Sequence, residues 1–259
     1  MSPTETIAHR ILAAYASGTP ILPIRGEIMG VAEAYEVQRA TIAAWLQQGR
    51  KLVGHKIGLT SLAVQAQLGV GEPDFGALFA DMILPDGSIV APSDVLQPRI
   101  EGEIAFVLKR DLAADSDGRI SPDAVIAATD YVTPAIEICG SRIANWDIRI
   151  EDTIADNASS GLIVLSDQRN APTLAGLAQV AMALKLNDAS AVAGGGEACL
   201  GNPANAVSWL GEALLRFGTK LRAGDIVMSG ALAKMLPAEP GSRFVADFGT
   251  FATVSVSFR

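Results

Sequence analysis

The stretch Arg99–Leu108, RIEGEIAFVL, is the clearest strand in the sequence. Successive residues of a strand point to opposite faces of a sheet, so its side chains divide into two sets. One set is apolar or glycine throughout: Ile100, Gly102, Ile104, Phe106 and Leu108. The other set begins with Glu101 and Glu103 and then turns apolar at Ala105 and Val107. Paired glutamates are common on a solvated edge strand, but the immediate change to apolar residues disfavours a wholly solvated face.

Short strands broken by Gly, Pro and Asp surround this stretch from Leu52 onward. We predict strands in LVGHKIGLT (52–60), PAIEIC (134–139), GDIVMSGAL (224–232) and SRFVADFGTFATVSVSF (242–258). In IADNASSGLIVLS (154–166) a polar loop is expected to lead into a strand. Helices are predicted for SPDAVIAATDYV (121–132) and NPANAVSWLGEALLRFG (202–218), because both begin with a capping residue followed by proline. Residues 175–185 fit either a helix or a strand.

The first fifty residues predict two helices. Thr4 is a candidate cap for the first helix, which Gly18 ends, and apolar residues at helical spacing predict a second over 31–48. We therefore expect a helical N-terminal segment (1–51) and a β-rich domain (52–259) that form one compact unit. The irregular intervals between strands disfavour a regular βαβ repeat.

Composition excludes several classes of protein. The net charge of -8 over 259 residues argues against a nucleic-acid or anionic-membrane partner. No uncharged stretch exceeds 15 residues, and the N-terminus lacks the pattern of a secretory signal. Two cysteines 60 positions apart form neither a metal-ligand pattern nor a disulfide framework, so a reducing, cytoplasmic location is expected. With two histidines, His9 and His55, a His-rich zinc site is excluded and carboxylates and a lysine become the candidates for chemistry.

Three glutamates are candidate metal ligands. Glu101 and Glu103 share a strand face, and Glu137 lies between two isoleucines in PAIEIC, where a lone buried glutamate is unusual. If the three carboxylates converge, they form a hard oxygen site suited to Mg²⁺ or Mn²⁺. The alternative is a salt bridge from Glu137 to Arg142 or Arg99.

A lysine and an aspartate are candidates for proton transfer. Lys56 lies between Gly54 and Gly58 on one strand face, and the glycines leave room for an anion or a substrate. The alternative is an ordinary exposed lysine. Asp74, in GEPDFG, has a turn signature, and turn aspartates usually bond their own backbone. His55 should point to the opposite face from Lys56, which favours a structural role.

Polar residues cluster in EDTIADNASSG (151–161). Their amides and hydroxyls could hold a carboxylate, or they could line a loop without function: Asp152, Asp156, Asn157, Ser159 and Ser160.

Six strings in this order resemble the 2-keto-4-pentenoate hydratase family of the fumarylacetoacetase-like superfamily: GHKIGLTS (54–61), LGVGEPDFGALFADM (68–82), LQPRIEGEIAFVL (96–108), PAIEICGSRIANW (134–146), IEDTIADNASSG (150–161) and CLGNPANAVSWL (199–210). The resemblance runs from about Leu52 to the C-terminus. It implies an α+β fold, a mixed β-roll or sandwich like the fumarylacetoacetase C-terminal domain, with a helical N-terminal portion. One difference is the segment DLAADSDGRISPDAV (111–125), which is longer than in close relatives and is expected to alter a surface loop.

The resemblance also implies roles for single residues. Glu101, Glu103 and Glu137 match the family's ligands for a divalent metal, Mg²⁺ or Mn²⁺. Lys56 and Asp74 match its catalytic lysine and aspartate, and the substrate-side loop contains two serines, Ser159 and Ser160. The implied assembly is a higher homo-oligomer, which could associate with a decarboxylase or aldolase of the same pathway.

The implied activity is that of a hydro-lyase in meta-cleavage catabolism of aromatic compounds. Water adds to 2-hydroxypenta-2,4-dienoate and gives 4-hydroxy-2-oxopentanoate. Three alternatives remain open: a 4-oxalocrotonate-type decarboxylase, a C–C hydrolase of the fumarylacetoacetase type, and a non-catalytic partner subunit that binds a 2-oxo acid. The decarboxylase would need a cation for a distal carboxylate, the hydrolase would want a histidine base, and retention of the glutamates with Lys56 argues against the partner subunit.

Overall fold

The computed structural model describes residues 2–62, 65 and 70–259, and six α-helices lie entirely within them. They are α1 (Pro3–Ser17), α2 (Val31–Gln47), α3 (Pro122–Ala128), α4 (Ile150–Ala155), α5 (Leu174–Gln179) and α6 (Pro203–Arg216). The start of the second motif string, residues 68–69, lies outside the described residues. None of the helices in the described ranges is long and apolar enough to cross a membrane.

Thirteen strands are assigned within the described residues. They are β1 (Leu52–Gly58), β2 (Asp74–Phe79), β3 (Ile83–Pro85), β4 (Ser88–Val90), β5 (Arg99–Leu108), β6 (Thr129–Cys139), β7 (Leu162–Leu165), β8 (Ala181–Leu186), β9 (Ala189–Gly195), β10 (Ile226–Met228), β11 (Leu236–Pro237), β12 (Arg243–Asp247) and β13 (Thr253–Phe258).

The strands form two mixed sheets. The larger sheet has the order β2-β1-β10-β5-β6-β7-β3, with β11 paired to the start of β5. The smaller sheet has the order β4-β13-β12-β8-β9. Pairs β1–β10, β3–β7 and β4–β13 are parallel and the other pairs are antiparallel, so the mixed α+β architecture expected from the sequence is confirmed.

Strand β5 occupies the middle of the larger sheet, with β10 on one side and β6 on the other. The interpretation of its glutamates as residues of a solvated edge strand is therefore wrong. Its apolar face packs into the main core, where Ile100, Ile104 and Phe106 are fully buried with Phe244 of the smaller sheet. Burial of this face contributes stability in proportion to the apolar area removed from water.

Two of the expected N-terminal features are confirmed and one is wrong. Helices α1 and α2 form, and Gly18 ends α1 in the left-handed conformation, with φ 66°. The cap of α1 is Ser2 rather than Thr4: its hydroxyl accepts from Glu5 N at 3.2 Å, while Glu5 Oε2 accepts from Ser2 N at 2.7 Å. This reciprocal pair satisfies two donors that the first helical turn leaves free.

Two segments differ from their expected secondary structure. The expected polar loop before β7 instead begins within the end of α4 and continues as a short 3₁₀ turn, Asn157–Ser159, and its polar residues are buried. Residues 175–185, which fit either a helix or a strand, contain both, because α5 ends at Gln179 and β8 begins at Ala181. Strand β6 also extends beyond PAIEIC to Thr129, so the helix before it is shorter than predicted.

Candidate metal and active site

The three candidate ligands lie on one face of the larger sheet. Glu101 of β5 stands directly opposite Glu137 of β6, and Glu103 follows on the same face. Cys139, two residues after Glu137, joins them: a carboxylate oxygen of Glu101, one of Glu137 and the Cys139 Sγ lie within 4.8 Å of one another. Glu103 is not in that close set, but its side chain is fully buried beside it.

Several carboxylate oxygens of this cluster have no hydrogen-bond donor within the described part of the chain. Oε2 of Glu137 and Oε1 of Glu103 are in this state although both residues are fully buried, and Oε1 of Glu137 has only the Lys56 Nζ beside it, at 3.3 Å. Oε2 of Glu103 accepts from Gly230 N at 2.9 Å. Buried acceptors normally have partners, so these free oxygens are available to a ligand.

Lys56 is the cation that faces Glu137. Its Nζ lies 3.3 Å from Glu137 Oε1, and Arg142 instead binds Asp156 at 2.6 Å. The alternative salt bridges from Glu137 to Arg142 or Arg99 are therefore wrong. Lys56 is 4% exposed, which also rules out an ordinary exposed lysine.

The electrostatics of the cluster favour a bound cation. Burial, followed by the charge of Glu137, raises the pKa of Glu101 to about 7. The same two causes raise the pKa of Glu103 well above its usual range. Like charges held together out of water resist ionisation, and a divalent cation between them reverses that effect. The oxygen-rich donor set fits Mg²⁺ or Mn²⁺.

Lys56 is held in place by two acceptors, and Gly58 leaves room beside it. Its Nζ donates to the carbonyl of Ala158 at 2.9 Å and faces Glu137. A side-chain carbon at Gly58 would overlap Asp74 Oδ1 and lie 3.5 Å from the Lys56 Nζ. Burial alone would lower the pKa of Lys56, but Glu137, Cys139, Asp74 and Glu101 raise it, and the net direction is upward.

Asp74 is the first residue of β2 and pairs with Gly58 across the sheet. It is 1% exposed, and neither carboxylate oxygen accepts a hydrogen bond from any described residue. Asp74 lies in a strand rather than a turn, so the expectation of a turn aspartate is wrong. Burial raises the pKa of Asp74, Lys56 lowers it and Glu137 raises it, with a net upward direction.

The segment 156–160 has an unusual backbone conformation next to Lys56. Asn157, Ala158 and Ser159 all have φ of 53°, in the left-handed region that residues other than glycine rarely adopt. The Asn157 side chain fastens this turn to β2, accepting from Ala77 N at 2.8 Å and donating to Ala77 O at 2.9 Å. Such strain persists only where the surroundings enforce it, and it is typical of functional sites.

The two candidate substrate-side serines differ in their contacts. The Ser159 hydroxyl lies 3.0 Å from that of Thr153, so it has a hydrogen-bond partner. Ser160 Oγ is buried and has no hydrogen-bond partner among the described residues. Ser160 is thus the one whose hydroxyl is free for a ligand.

Two other polar residues of this region have structural partners. Asp156 binds both the backbone N–H of Arg142, at 2.9 Å, and its guanidinium, which lies 4.1 Å from the centre of the Tyr15 ring. Asp152 accepts from Ile24 N at 2.8 Å. These buried bonds connect the N-terminal helices to the segment that contacts Lys56.

His55 lies on the strand next to Lys56, and period two places it on the other face. It is half-buried, and its Nδ1 has no hydrogen-bond partner in the described ranges. Burial lowers the pKa of His55 to about 4, so the ring is neutral at pH 7. This agrees with the structural role expected for it.

The sequence prediction missed Cys139 as a residue of the site, and it named Asn157 only within the polar cluster whose amides could hold a carboxylate. Two-residue spacing from Glu137 would have placed Cys139 on the same strand face. For Asn157 the only local signal was a polar residue in a polar run, because its partner on β2 is 80 positions away.

Comparisons with known proteins identify the family. A family model described as Fumarylacetoacetate (FAA) hydrolase C-terminal matches residues 53–258. The chain is 48% identical over 257 residues to 2-keto-4-pentenoate hydratase 2 of Dechloromonas aromatica (strain RCB), covering 98% of this chain and 97% of that protein. This chain belongs to the 2-keto-4-pentenoate hydratase family. It is also 44% identical over 256 residues to a hydratase of the same family name from Paraburkholderia xenovorans (strain LB400), covering 98% and 94% of the two chains.

A solved structure supports the fold of this hydratase family member over its whole length. It is the 4-oxalocrotonate decarboxylase from Pseudomonas putida G7, complexed with magnesium and adipate, with a TM-score of 0.93 and 31% identity. The match covers 99% of this chain and 97% of that one. Hydratase and decarboxylase thus share one scaffold, and the resemblance inferred from the motif strings is confirmed.

Proposed function

We propose that the protein is a metal-dependent hydro-lyase that adds water to 2-hydroxypenta-2,4-dienoate and forms 4-hydroxy-2-oxopentanoate. One observation carries the proposal: buried carboxylates that lack hydrogen-bond donors lie together next to Lys56 and Asp74. The family assignment supports the reaction, since the relatives named above are hydratases. In this proposal the reaction belongs to the meta-cleavage catabolism of aromatic compounds.

Glu101, Glu103 and Glu137 would hold a divalent cation, Mg²⁺ or Mn²⁺. When bound, the cation supplies Lewis-acid polarisation of the 2-oxo group and compensates the substrate carboxylate. The residues fit this role because Glu137 and Glu103 have free buried oxygens. Glu101 keeps partial contact with solvent, which gives an ion a route of entry.

Lys56 and Asp74 divide the proton transfers in the proposed reaction. The dienol first ketonises, losing the proton on the C2 oxygen and gaining one at C5, and water then adds OH at C4 and H at C3. The Lys56 Nζ faces two acceptors, Ala158 O and Glu137, so it is held as an ammonium, and we assign it the role of proton donor. Asp74 has free acceptor oxygens, so it orients the water and takes its proton. The Ser160 hydroxyl, with Ser159 beside it, would bind the substrate.

Ultraviolet absorbance tests the proposal directly. Wild-type protein with Mg²⁺ and 2-hydroxypenta-2,4-dienoate should remove the dienol absorbance without releasing CO₂. Glu101→Gln should abolish this turnover, while the exposed surface variant Glu36→Gln should retain it. Full activity of Glu101→Gln would contradict the metal assignment.

A 4-oxalocrotonate-type decarboxylase is the second candidate, favoured by the match to the Pseudomonas putida structure. The same assay with 4-oxalocrotonate distinguishes the two, because release of CO₂ from that substrate at a higher kcat/KM would favour the decarboxylase. Absence of any reaction with either diene would favour a non-catalytic binding subunit.

Assembly, domain organisation and location complete the proposal. Residues 1–51 and 52–259 form one compact unit, supported by Ile7 and Ile104 lying in the same buried cluster. We also propose a higher homo-oligomer, and light scattering after gel filtration tests this. A complex with a pathway decarboxylase or aldolase is tested by co-purification.

A cytoplasmic location is supported by two free, buried cysteines.

A further inference from the structure

A thiol lies among the proposed metal ligands. We propose that Glu101, Glu137 and Cys139 form a softer donor set that captures a thiophilic divalent cation, such as Zn²⁺ or Cd²⁺, in competition with Mg²⁺. The inference deepens the proposed function, on which it rests, by assigning the site a second class of metal.

The geometry supports coordination by sulfur. Cys139 Sγ lies 3.4 Å from Glu101 Oε2, and the three donor atoms lie within 4.8 Å of one another. Around a tetrahedral zinc ion, with bonds of about 2.3 Å to sulfur and about 2.1 Å to oxygen, those two atoms are about 3.6 Å apart. The sulfur and the Glu101 oxygen are thus already near the separation that a shared ion requires.

The surroundings point to a ligand independently of the cysteine. Oε2 of Glu137 is buried and no described residue donates a hydrogen bond to it, while Oε1 faces the Lys56 Nζ at 3.3 Å. Cys139 is on the same strand face, two residues further, and is 4% exposed. The thiol is therefore shielded from water and lies beside the Glu137 carboxylate.

The donor type determines which ion is preferred. Thiolate sulfur selects soft or borderline cations, whereas carboxylates alone suit Mg²⁺ and Mn²⁺. Coordination replaces the S–H bond by a metal–sulfur bond, the released proton passes to solvent, and no electrons are transferred. Cys199 offers no such set, because its Sγ donates to Ser229 O at 2.8 Å and it lies outside the close donor cluster.

Cadmium titration of the metal-stripped full chain tests the proposal. We would record the ultraviolet sulfur-to-cadmium charge-transfer band and the Kd by calorimetry for wild type, Cys139→Ser and Cys199→Ser. Wild type and Cys199→Ser should show the band at one equivalent of Cd²⁺. Cys139→Ser should lack it and bind Cd²⁺ at least about tenfold more weakly, the scale of effect that perturbing a metal site produces.

A second measurement leaves Cys139 intact, in case the serine variant does not fold. X-ray absorption of Zn²⁺-loaded Cys199→Ser should contain a sulfur neighbour at about 2.3 Å, which only the Cys139 thiol can supply. An all-oxygen shell, or equal Cd²⁺ affinity and an unchanged band in Cys139→Ser, would overturn the proposal. Hydratase turnover with Mg²⁺ is measured separately. Sulfur coordination without turnover would therefore reject the proposed function and leave the assignment of Cys139 standing.

Discussion

Replacing Asn157 with alanine should both destabilise the protein and slow its reaction. The side chain makes two buried hydrogen bonds to the backbone of Ala77, at 2.8 and 2.9 Å, and the change leaves both backbone groups without these partners. At about 1–1.5 kcal/mol for each bond, their loss costs about 2–3 kcal/mol. The left-handed backbone at this position, with φ of 53°, adds about 1 kcal/mol, since alanine tolerates it less well than asparagine.

Glycine at the same position separates the two contributions. Asn157→Gly loses the same bonds but relieves the backbone strain, and glycine's larger loss of entropy on folding offsets part of that relief. We therefore expect it to be more stable than Asn157→Ala by about 0.5–1 kcal/mol. In both variants the Ala158 carbonyl, which holds the Lys56 Nζ at 2.9 Å, loses its fixed position. A displacement of about 1 Å near the reacting groups costs about 100-fold in kcat.

Urea unfolding followed by circular dichroism, together with steady-state kinetics at saturating Mg²⁺, measures both effects. Asn170→Ala is the matched control, because its amide donates one hydrogen bond, 2.9 Å to Phe251 O, outside the site. The control should lose about 1 kcal/mol and keep its kcat. If Asn157→Ala unfolds at the same urea concentration as the control and keeps full kcat, Asn157 does not fasten the turn as inferred.

Three further changes test other parts of the structure. Gly58→Ala should lower kcat by about 100-fold with little change in the unfolding midpoint, because the added methyl displaces the Asp74 carboxylate; wild-type kcat would contradict this. Between pH 7.5 and 5 the wild type should lose up to about 2 kcal/mol of stability, and His55→Asn should not. The pKa of His55 is about 4 in the folded protein and 6.5 in the unfolded chain, so on acidification the unfolded chain binds the proton first. The exposed-histidine variant His9→Asn should follow the wild type, and identical slopes in all three proteins would refute the assignment. Mg²⁺ at 100 times its Kd should stabilise the wild type by about 2.7 kcal/mol in urea unfolding and the Glu101→Gln variant by much less; equal stabilisation would argue against Glu101 as a ligand.

Local sequence patterns predicted the elements but not their pairing. Alternation along Arg99–Leu108 assigned every side chain of β5 to a face, because period two is a property of the strand alone. The pairing of Glu101 with Glu137 and the central position of β5 depend on contacts between distant segments. No local pattern distinguishes an edge strand from a central one when both carry two glutamates.

The errors around the site have the same physical origin. Asp74 follows a proline and precedes Phe-Gly, which favours a turn, but pairing with Gly58 across the sheet overrides that preference. The run of polar residues before β7 was expected to form a loop. It is buried because Asn157 and Asp156 find partners in β2 and in Arg142, at separations that no local pattern encodes.

The apolar face of β5 stabilises the protein, whereas its carboxylate face costs stability. This cost distinguishes a functional cluster from a structural ion pair. A structural pair would satisfy its carboxylates, because each buried acceptor left without a donor costs about 1–3 kcal/mol. Here Lys56 faces Glu137 Oε1 at 3.3 Å, yet Glu137 Oε2 and Glu103 Oε1 remain buried without donors in the described residues. The apolar face, with Ile100 and Ile104 fully buried, offsets that cost and holds the carboxylates in a rigid central strand. A cluster left unsatisfied at the centre of a well-packed sheet is typical of a ligand site, and its oxygen donors fit the hard cation that we propose.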